Sequence, residues 1–206
     1  MKKAKKLSIL GDSYSTYGGA VPQGNRSFYN GESKDEDTES VADIWWHKLM
    51  TYKGYELEVN QSSSGSPVCN TGYNGNDTRF VSFIARMKSL GSPDVIAVFG
   101  GTNDSWAGVP IGDFVYENPT ESDLKCFRPA FAYMCDYLQR THPQAEIYSI
   151  INSELSEAVT ESIKIICNRY GIKWILLPTF SKPFGGHPGK EGQSIIFESV
   201  KDFFAE

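Results

Sequence analysis

The segment Gly11-Asp12-Ser13-Tyr14-Ser15 follows directly on a short apolar run, Lys6 to Leu10, with the length and flanks of a β-strand. A serine at a strand's carboxyl end, in a turn begun by glycine, can aim its hydroxyl and its own N–H at one pocket, as a nucleophile must. A turn serine that only bonds its own backbone is the competing reading, and this segment alone does not choose between them. After two further strand-like runs come Asn60-Gln61-Ser62-Ser63-Ser64-Gly65 and Gly100-Gly101-Thr102-Asn103-Asp104. Glycine lets a backbone N–H border a cavity at close range, and an asparagine amide can donate to a developing oxyanion. Near the end of the chain, Gly185-Gly186-His187-Pro188-Gly189 sets a histidine in a loop ahead of the last helix, free to reach across a site.

The other two histidines read differently. His47 lies within a helical pattern and His142 in a Thr-His-Pro turn, so each is expected to be structural or solvated. Neither has metal-ligand spacing, and no metal site is expected. The acidic run Glu32 to Glu39, with Lys34 inside it, reads as a solvated loop tip rather than a cation site.

The elements that must position these residues alternate. Strand-like runs occur at Lys6 to Leu10, Glu56 to Asn60, Asp94 to Phe99, Glu146 to Ile150 and Lys173 to Leu177. Between them lie apolar stripes at helical spacing. One runs through Val41, Ile44, Trp45, Leu49 and Tyr52, after a Ser40-x-x-Asp43 capping signal and up to Gly54. Others run through Phe80, Phe83, Ile84 and Met87, through Leu155 to Tyr170, and through Ile196, Val200 and Phe203. The stripe from Leu124 to Leu138 contains Pro129, which predicts a kink or a late start. Alternation of this kind implies right-handed crossovers and a parallel sheet covered on both faces, a three-layer α/β/α sandwich. Ligands of such sheets bind beyond the carboxyl ends of the strands, where the four chemical segments fall.

The 206 residues, 40% hydrophobic and 22% charged, suit one soluble domain spanning positions 1–206. A net charge of −5, with Lys2, Lys3, Lys5 and Lys6 as the sole basic cluster, argues against a nucleic-acid partner. The apolar stretch Leu7 to Leu10 is too short for a signal-peptide core and no other segment suits a membrane span, so a cytoplasmic location is expected. Cys69, Cys126, Cys135 and Cys167 show no C-x-x-C pairing and read as reduced, buried thiols. Oligomeric state is left open.

Taken in order, Ser13, Gly65, Asn103 and His187 resemble the four residues that define the SGNH (GDSL-like) hydrolase family, in register over nearly the whole chain. The resemblance implies that family's fold, a flavodoxin-like sandwich on a five-stranded parallel sheet. It also implies a serine esterase or acylhydrolase without a cofactor. Ser13 would attack the ester carbonyl and His187 would take its proton. The N–H groups of Ser13 and Gly65 and the Asn103 amide would hold the oxyanion. One position departs from the family pattern, which has an aspartate three residues before the histidine where this chain has Phe184. A backbone carbonyl between Pro183 and Gly185 is expected to orient the imidazole in its place. Glu191 or an acidic loop residue is the alternative, while Asp12 and Asp104 are expected to brace their own turns.

Tyr14, Tyr17, Tyr73 and Trp106 fall in segments around Ser13 and are expected to bind the substrate. Nothing forms a long apolar groove, so the expected substrate is a small-acyl ester, an O-acetylated sugar foremost. Two rivals stand beside this reading. One is a flavodoxin-like flavin-binding protein, with Ser13 to Gly19 as a phosphate loop. The other is an inactive SGNH-fold carbohydrate-binding module, motivated by Phe184 alone. No Gly-x-Ser-x-Gly elbow is present, which disfavours an α/β-hydrolase.

Overall fold

The five apolar runs form five strands in the computed structural model of the protein, which describes residues 3–31 and 36–205. They are β1 (Lys6–Gly11), β2 (Glu56–Asn60), β3 (Val95–Phe99), β4 (Glu146–Ile151) and β5 (Lys173–Leu176). All pair in parallel, in the order β2-β1-β3-β4-β5. Leu7 lies opposite Val95 and Gly11 opposite Phe99, so β1 and β3 end level with one another. Because side chains alternate across a strand, β3 sends Ile96 and Val98 to one face and Val95, Ala97 and Phe99 to the other.

Among the described residues the α-helices are α1 (Trp45–Lys53), α2 (Phe83–Arg86), α3 (Thr102–Ala107), α4 (Phe127–Thr141), α5 (Glu157–Tyr170) and α6 (Lys190–Val200). On one face Phe127, Phe131, Met134 and Leu138 of α4 and Val159, Ile163 and Ile166 of α5 close over Ile96, Val98 and Ile151. On the other, Trp45, Trp46 and Leu49 of α1 and Ile196 and Val200 of α6 close over Leu7, Ile9, Phe99 and Ile150. The result is the three-layer α/β/α sandwich expected from the alternation of elements.

Several boundaries differ from the sequence expectation, each for a local reason. The Ser40/Asp43 box is present, with Ser40 N–H donating to the Asp43 carboxylate at 3.1 Å, but it caps a 3-10 turn over Val41–Asp43. Ile44 is extended, so α1 begins only at Trp45 and ends, as expected, at left-handed Gly54. Extended Cys126 likewise delays α4 to Phe127, leaving Pro129 in the first turn, where its missing N–H costs nothing. Phe80 is not on a buried stripe at all. The N–H groups of Val81 and Ser82 both donate to the Thr78 carbonyl, and the turn they form holds Phe80 86% exposed. Cys69, Cys135 and Cys167 are buried free thiols, whereas Cys126 is half-buried. Among the described residues, no helix is long and apolar enough to cross a membrane.

Candidate active site

Gly11 ends β1 and the chain tightens into a 3-10 turn over Ser13–Ser15, capped by the Asp12 carboxylate, which accepts the Tyr14 N–H at 3.1 Å. This puts Ser13 at the carboxyl edge of the sheet, between the ends of β2 and β3, beside the point where the strand order reverses. From the far side of the sheet, past β5, the chain returns to bring His187 Nε2 to 2.8 Å from Ser13 Oγ.

The other ring nitrogen decides the tautomer. His187 Nδ1 lies 3.1 Å from the Phe184 carbonyl oxygen, which can only accept, so Nδ1 carries the proton and Nε2 keeps its lone pair for the serine. The Phe184 carbonyl also accepts the His187 N–H at 3.0 Å, closing a four-residue turn. Its two central residues, Gly185 at φ 58° and Gly186 at φ 85°, have the paired positive φ of a type I′ turn, which two glycines adopt without strain. A side chain at Gly186 would also strike the Trp106 ring, 2.7 Å from an added Cβ. The expected carbonyl thus occupies the place of the family's aspartate. Glu191, Asp12 and Asp104 are not on the ring. Asp12 stays in its own turn, its carboxyl pushed up to about 7 by complete burial.

Aromatic rings hold the imidazole from several sides. Phe28 stacks on it with ring centroids 3.7 Å apart, and Trp106 meets it edge-on at 6.0 Å. The segment that carries Phe28 also ties down the histidine loop. Tyr29 hydroxyl donates to the Pro188 carbonyl at 2.7 Å and the Asp37 carboxylate accepts the Lys190 N–H at 2.7 Å. Asp37 belongs to the acidic run expected to be a solvated tip. Its carboxylate instead caps α6, and Glu36 accepts the N–H groups of Asn30 and Gly31, while Glu32 to Asp35 lie outside the described residues. Burial lowers the His187 pKa below its ordinary value, with the Phe184 and Gly185 backbone opposing that shift.

Facing the histidine across Ser13 is the loop after β2. Gly65 sits at φ 77°, and a Cβ built there would meet nothing within 4 Å, so its main chain borders open space. The side chains of Arg86, Asp104 and Asn103 help to fix this loop. The Arg86 guanidinium, 6% exposed, donates to the Gly11 carbonyl at 3.2 Å and to Ser66 Oγ at 2.6 Å. The Asp104 carboxylate accepts the N–H groups of Val68 and Cys69. Asn103 Nδ2 donates to the Ser66 carbonyl at 3.1 Å, and its Oδ1 accepts the Tyr73 hydroxyl at 3.0 Å. Asn103 stands in the first turn of the short helix α3. Beside it lies a cavity of about 380 Å³ whose lining includes Gly24, Arg26, Gly65, Tyr73 and Val81.

The four aromatic residues expected to bind substrate separate into two pairs. Trp106, 42% exposed, and Tyr73, 39% exposed, flank the site. Tyr14 is wholly buried and its hydroxyl donates to the Gly186 carbonyl at 2.5 Å, so it braces the histidine turn and offers no face to a ligand. Tyr17 is half-buried against the α1/α6 core, its hydroxyl toward the Glu39 carbonyl. Sequence reasoning missed Phe28 as the ring on His187 and Arg86 as the tie between the two loops. Helical spacing gives Arg86 no apolar signal, and nothing local announces that it is buried.

The hydroxyls that a phosphate loop would need are engaged internally. Ser15 Oγ accepts the Trp45 indole N–H at 3.1 Å, and Thr16 Oγ1 donates to the Ser13 carbonyl and accepts the Phe28 N–H. The flavin-binding reading loses its loop on that ground.

Residues 5–204 match the family model described as GDSL-like lipase/acylhydrolase. Two crystal structures described as GDSL-like lipases superpose over nearly the whole chain. One, from Bacteroides ovatus, is 46% identical with a TM-score of 0.95 and covers 98% of both chains. The other, from Bacteroides uniformis, is 48% identical with a TM-score of 0.94 over 98% of this chain and 96% of its own. An acetyl xylan esterase from the rumen bacterium Butyrivibrio proteoclasticus shares the fold at 18% identity, with a TM-score of 0.61 over 98% of this chain and 64% of its own. No curated protein matches the sequence.

Proposed function

The chain belongs to the GDSL-like lipase/acylhydrolase family and is an ester hydrolase, and from that premise we propose that Ser13 is its nucleophile and His187 its general base. The observation that carries this reading is the 2.8 Å contact between Ser13 Oγ and an Nε2 left unprotonated by the bond from Nδ1 to the Phe184 carbonyl. As Oγ attacks the ester carbonyl carbon, its proton passes to Nε2. The carbonyl π electrons move onto oxygen, where the N–H groups of Ser13 and Gly65 and the Asn103 amide receive the charge. Collapse expels the alcohol, which takes the proton from His187. Water, deprotonated by the same imidazole, then releases the acid and frees Ser13.

The Phe184 carbonyl does half of what an aspartate would do. It orients the ring and fixes the tautomer, but it brings a dipole where an aspartate brings a full charge to meet the imidazolium. Burial outweighs the carbonyl's opposing pull and keeps the imidazole neutral to lower pH than a free histidine. A base works only when unprotonated, so the acid limb of kcat/KM should have its midpoint below about 6.5, the ordinary histidine value. A pH profile on a soluble ester checks this, and a midpoint at or above 7 would contradict it.

For the substrate we favour a small acyl group on a carbohydrate. The exposed faces of Trp106 and Tyr73 suit a sugar ring, and Ser63, Ser64, Asn76 and Thr78 set polar groups among the apolar surface of the adjoining cavity. The acetyl xylan esterase on the same fold is consistent with it. The test is a 4-nitrophenyl ester series from acetate to octanoate, run beside acetate release from acetylated sugars. Rates should be highest at acetate and fall by about tenfold or more by octanoate, as an acyl pocket too short for the chain requires. Rates that climb with chain length would rule the small-acyl reading out.

A further inference from the structure

We infer that Tyr73 is a positioning residue for the oxyanion site: its hydroxyl holds the Asn103 amide with its donor end toward the reacting carbonyl. The inference rests on the proposed role of Asn103. An asparagine amide has one accepting and one donating end of nearly the same shape, and a half-turn about its last torsion exchanges them. Only the donating end can help an oxyanion. The accepting end, turned inward, would set a lone pair against the developing charge.

Two partners choose the orientation. The Ser66 carbonyl, 3.1 Å from Nδ2, can only accept, so it faces the amide's N–H. Tyr73 hydroxyl, 3.0 Å from Oδ1, then donates, which engages the oxygen and leaves the second N–H of Nδ2 for the substrate. Partial burial raises the Tyr73 phenol pKa above its ordinary value, so the hydroxyl stays a donor throughout the working pH range. Ser66 itself is anchored, since its hydroxyl accepts from the buried Arg86.

The tyrosine is placed by a small closed loop. Thr71 and Asp77 pair across its base, and Gly72 N–H donates to the Asn76 carbonyl at 2.8 Å. Left-handed Asn74, at φ 56°, turns the tip. The ring remains 39% exposed, so its hydroxyl bond is not one that the core needs in order to fold. The same exposure raises the competing role, direct contact with the substrate, which the experiment must separate from action through Asn103.

A double-mutant cycle does so. Wild type, Tyr73→Phe, Asn103→Ala and the double variant are compared on 4-nitrophenyl acetate, with kcat and KM resolved and melting temperatures recorded. Losing one orienting hydrogen bond should lower the kcat of Tyr73→Phe by roughly tenfold, with KM held within about twofold and the melting temperature little changed. In the Asn103→Ala background the same change should cost almost nothing, because the amide through which it acts is gone. An unchanged kcat in Tyr73→Phe, a loss carried by KM, or the same loss in both backgrounds would overturn the inference. If Asn103→Ala were as active as wild type, the oxyanion role would fall and the inference with it. An impaired Asn103→Ala beside a fully active Tyr73→Phe would sink the inference alone.

Discussion

Alanine at position 13 should leave no more than about one ten-thousandth of wild-type kcat on any ester the protein hydrolyses, because no covalent intermediate can form without the hydroxyl. His187→Ala should fall nearly as far. The two residues share one proton, 2.8 Å from atom to atom, so the double variant should be scarcely worse than either alone. What remains would come from the donors around Gly65 and Asn103, which can still polarise a bound carbonyl toward water. Ser13 lies in the turn after β1 and His187 in a loop, and neither side chain belongs to the two apolar cores. Unchanged circular dichroism and melting would therefore show that chemistry and not folding was lost. Equal rates in all the variants would place the turnover elsewhere on the molecule and leave the binding-module reading as the stronger one.

The second large effect is on stability. Asp104 is 1% exposed, and its carboxylate accepts Val68 N–H at 3.0 and 2.8 Å and Cys69 N–H at 3.2 Å. Burial pushes its pKa up to about 6 against the pull of those bonds, so at neutral pH and above it is mostly the charged acceptor. Asp104→Ala would leave two buried donors without a partner, at a cost of about 2–4 kcal/mol. Against a total stability of roughly 5–15 kcal/mol for an ordinary domain, that is a lowered denaturation midpoint at an unchanged slope. Activity should fall as well, since the freed segment begins three residues after Gly65. Asp104→Asn, which keeps one acceptor, should lie between the two. A midpoint identical to wild type in urea would show that the loop is held by Arg86 and Asn103 without the carboxylate.

The strands were readable because burial on both faces demands unbroken β-branched and aliphatic runs, and Val95–Phe99 is such a run. The four residues at the site were readable because each falls in a glycine-punctuated segment just after a strand or just before a helix. A backbone carbonyl between Pro183 and Gly185 was expected in place of the missing carboxylate, but the turn at Gly185 and Gly186 that brings the Phe184 carbonyl to the ring is seen only in the structure. The loop aromatics were not readable. Tyr14 and Tyr17 stand three positions apart in a segment without periodicity, so nothing in the sequence tells a ring that packs inward from one that faces a ligand. Phe80 misled for the opposite reason: it fits the helical spacing, but the turn at Thr78 delays the helix to Phe83 and leaves Phe80 ahead of it, exposed. Asp37 was lost among neighbouring acids because its partner, the N–H of Lys190, lies 153 residues away.

The order of the strands bears on how the protein fails as it warms. Ser13, Gly65 and Asn103 follow β1, β2 and β3, which lie side by side, whereas His187 arrives from beyond β5 at the opposite margin. Its loop is secured by other turns and loops, through Tyr14, Phe28, Tyr29 and Asp37. Segments secured that way open on their own, at free energies well below that of global unfolding. Competence and foldedness are thus separate quantities in this molecule. Heating should part the nucleophile from its base while the sandwich stands, so that along a thermal ramp activity is lost ahead of the circular dichroism signal and returns on cooling.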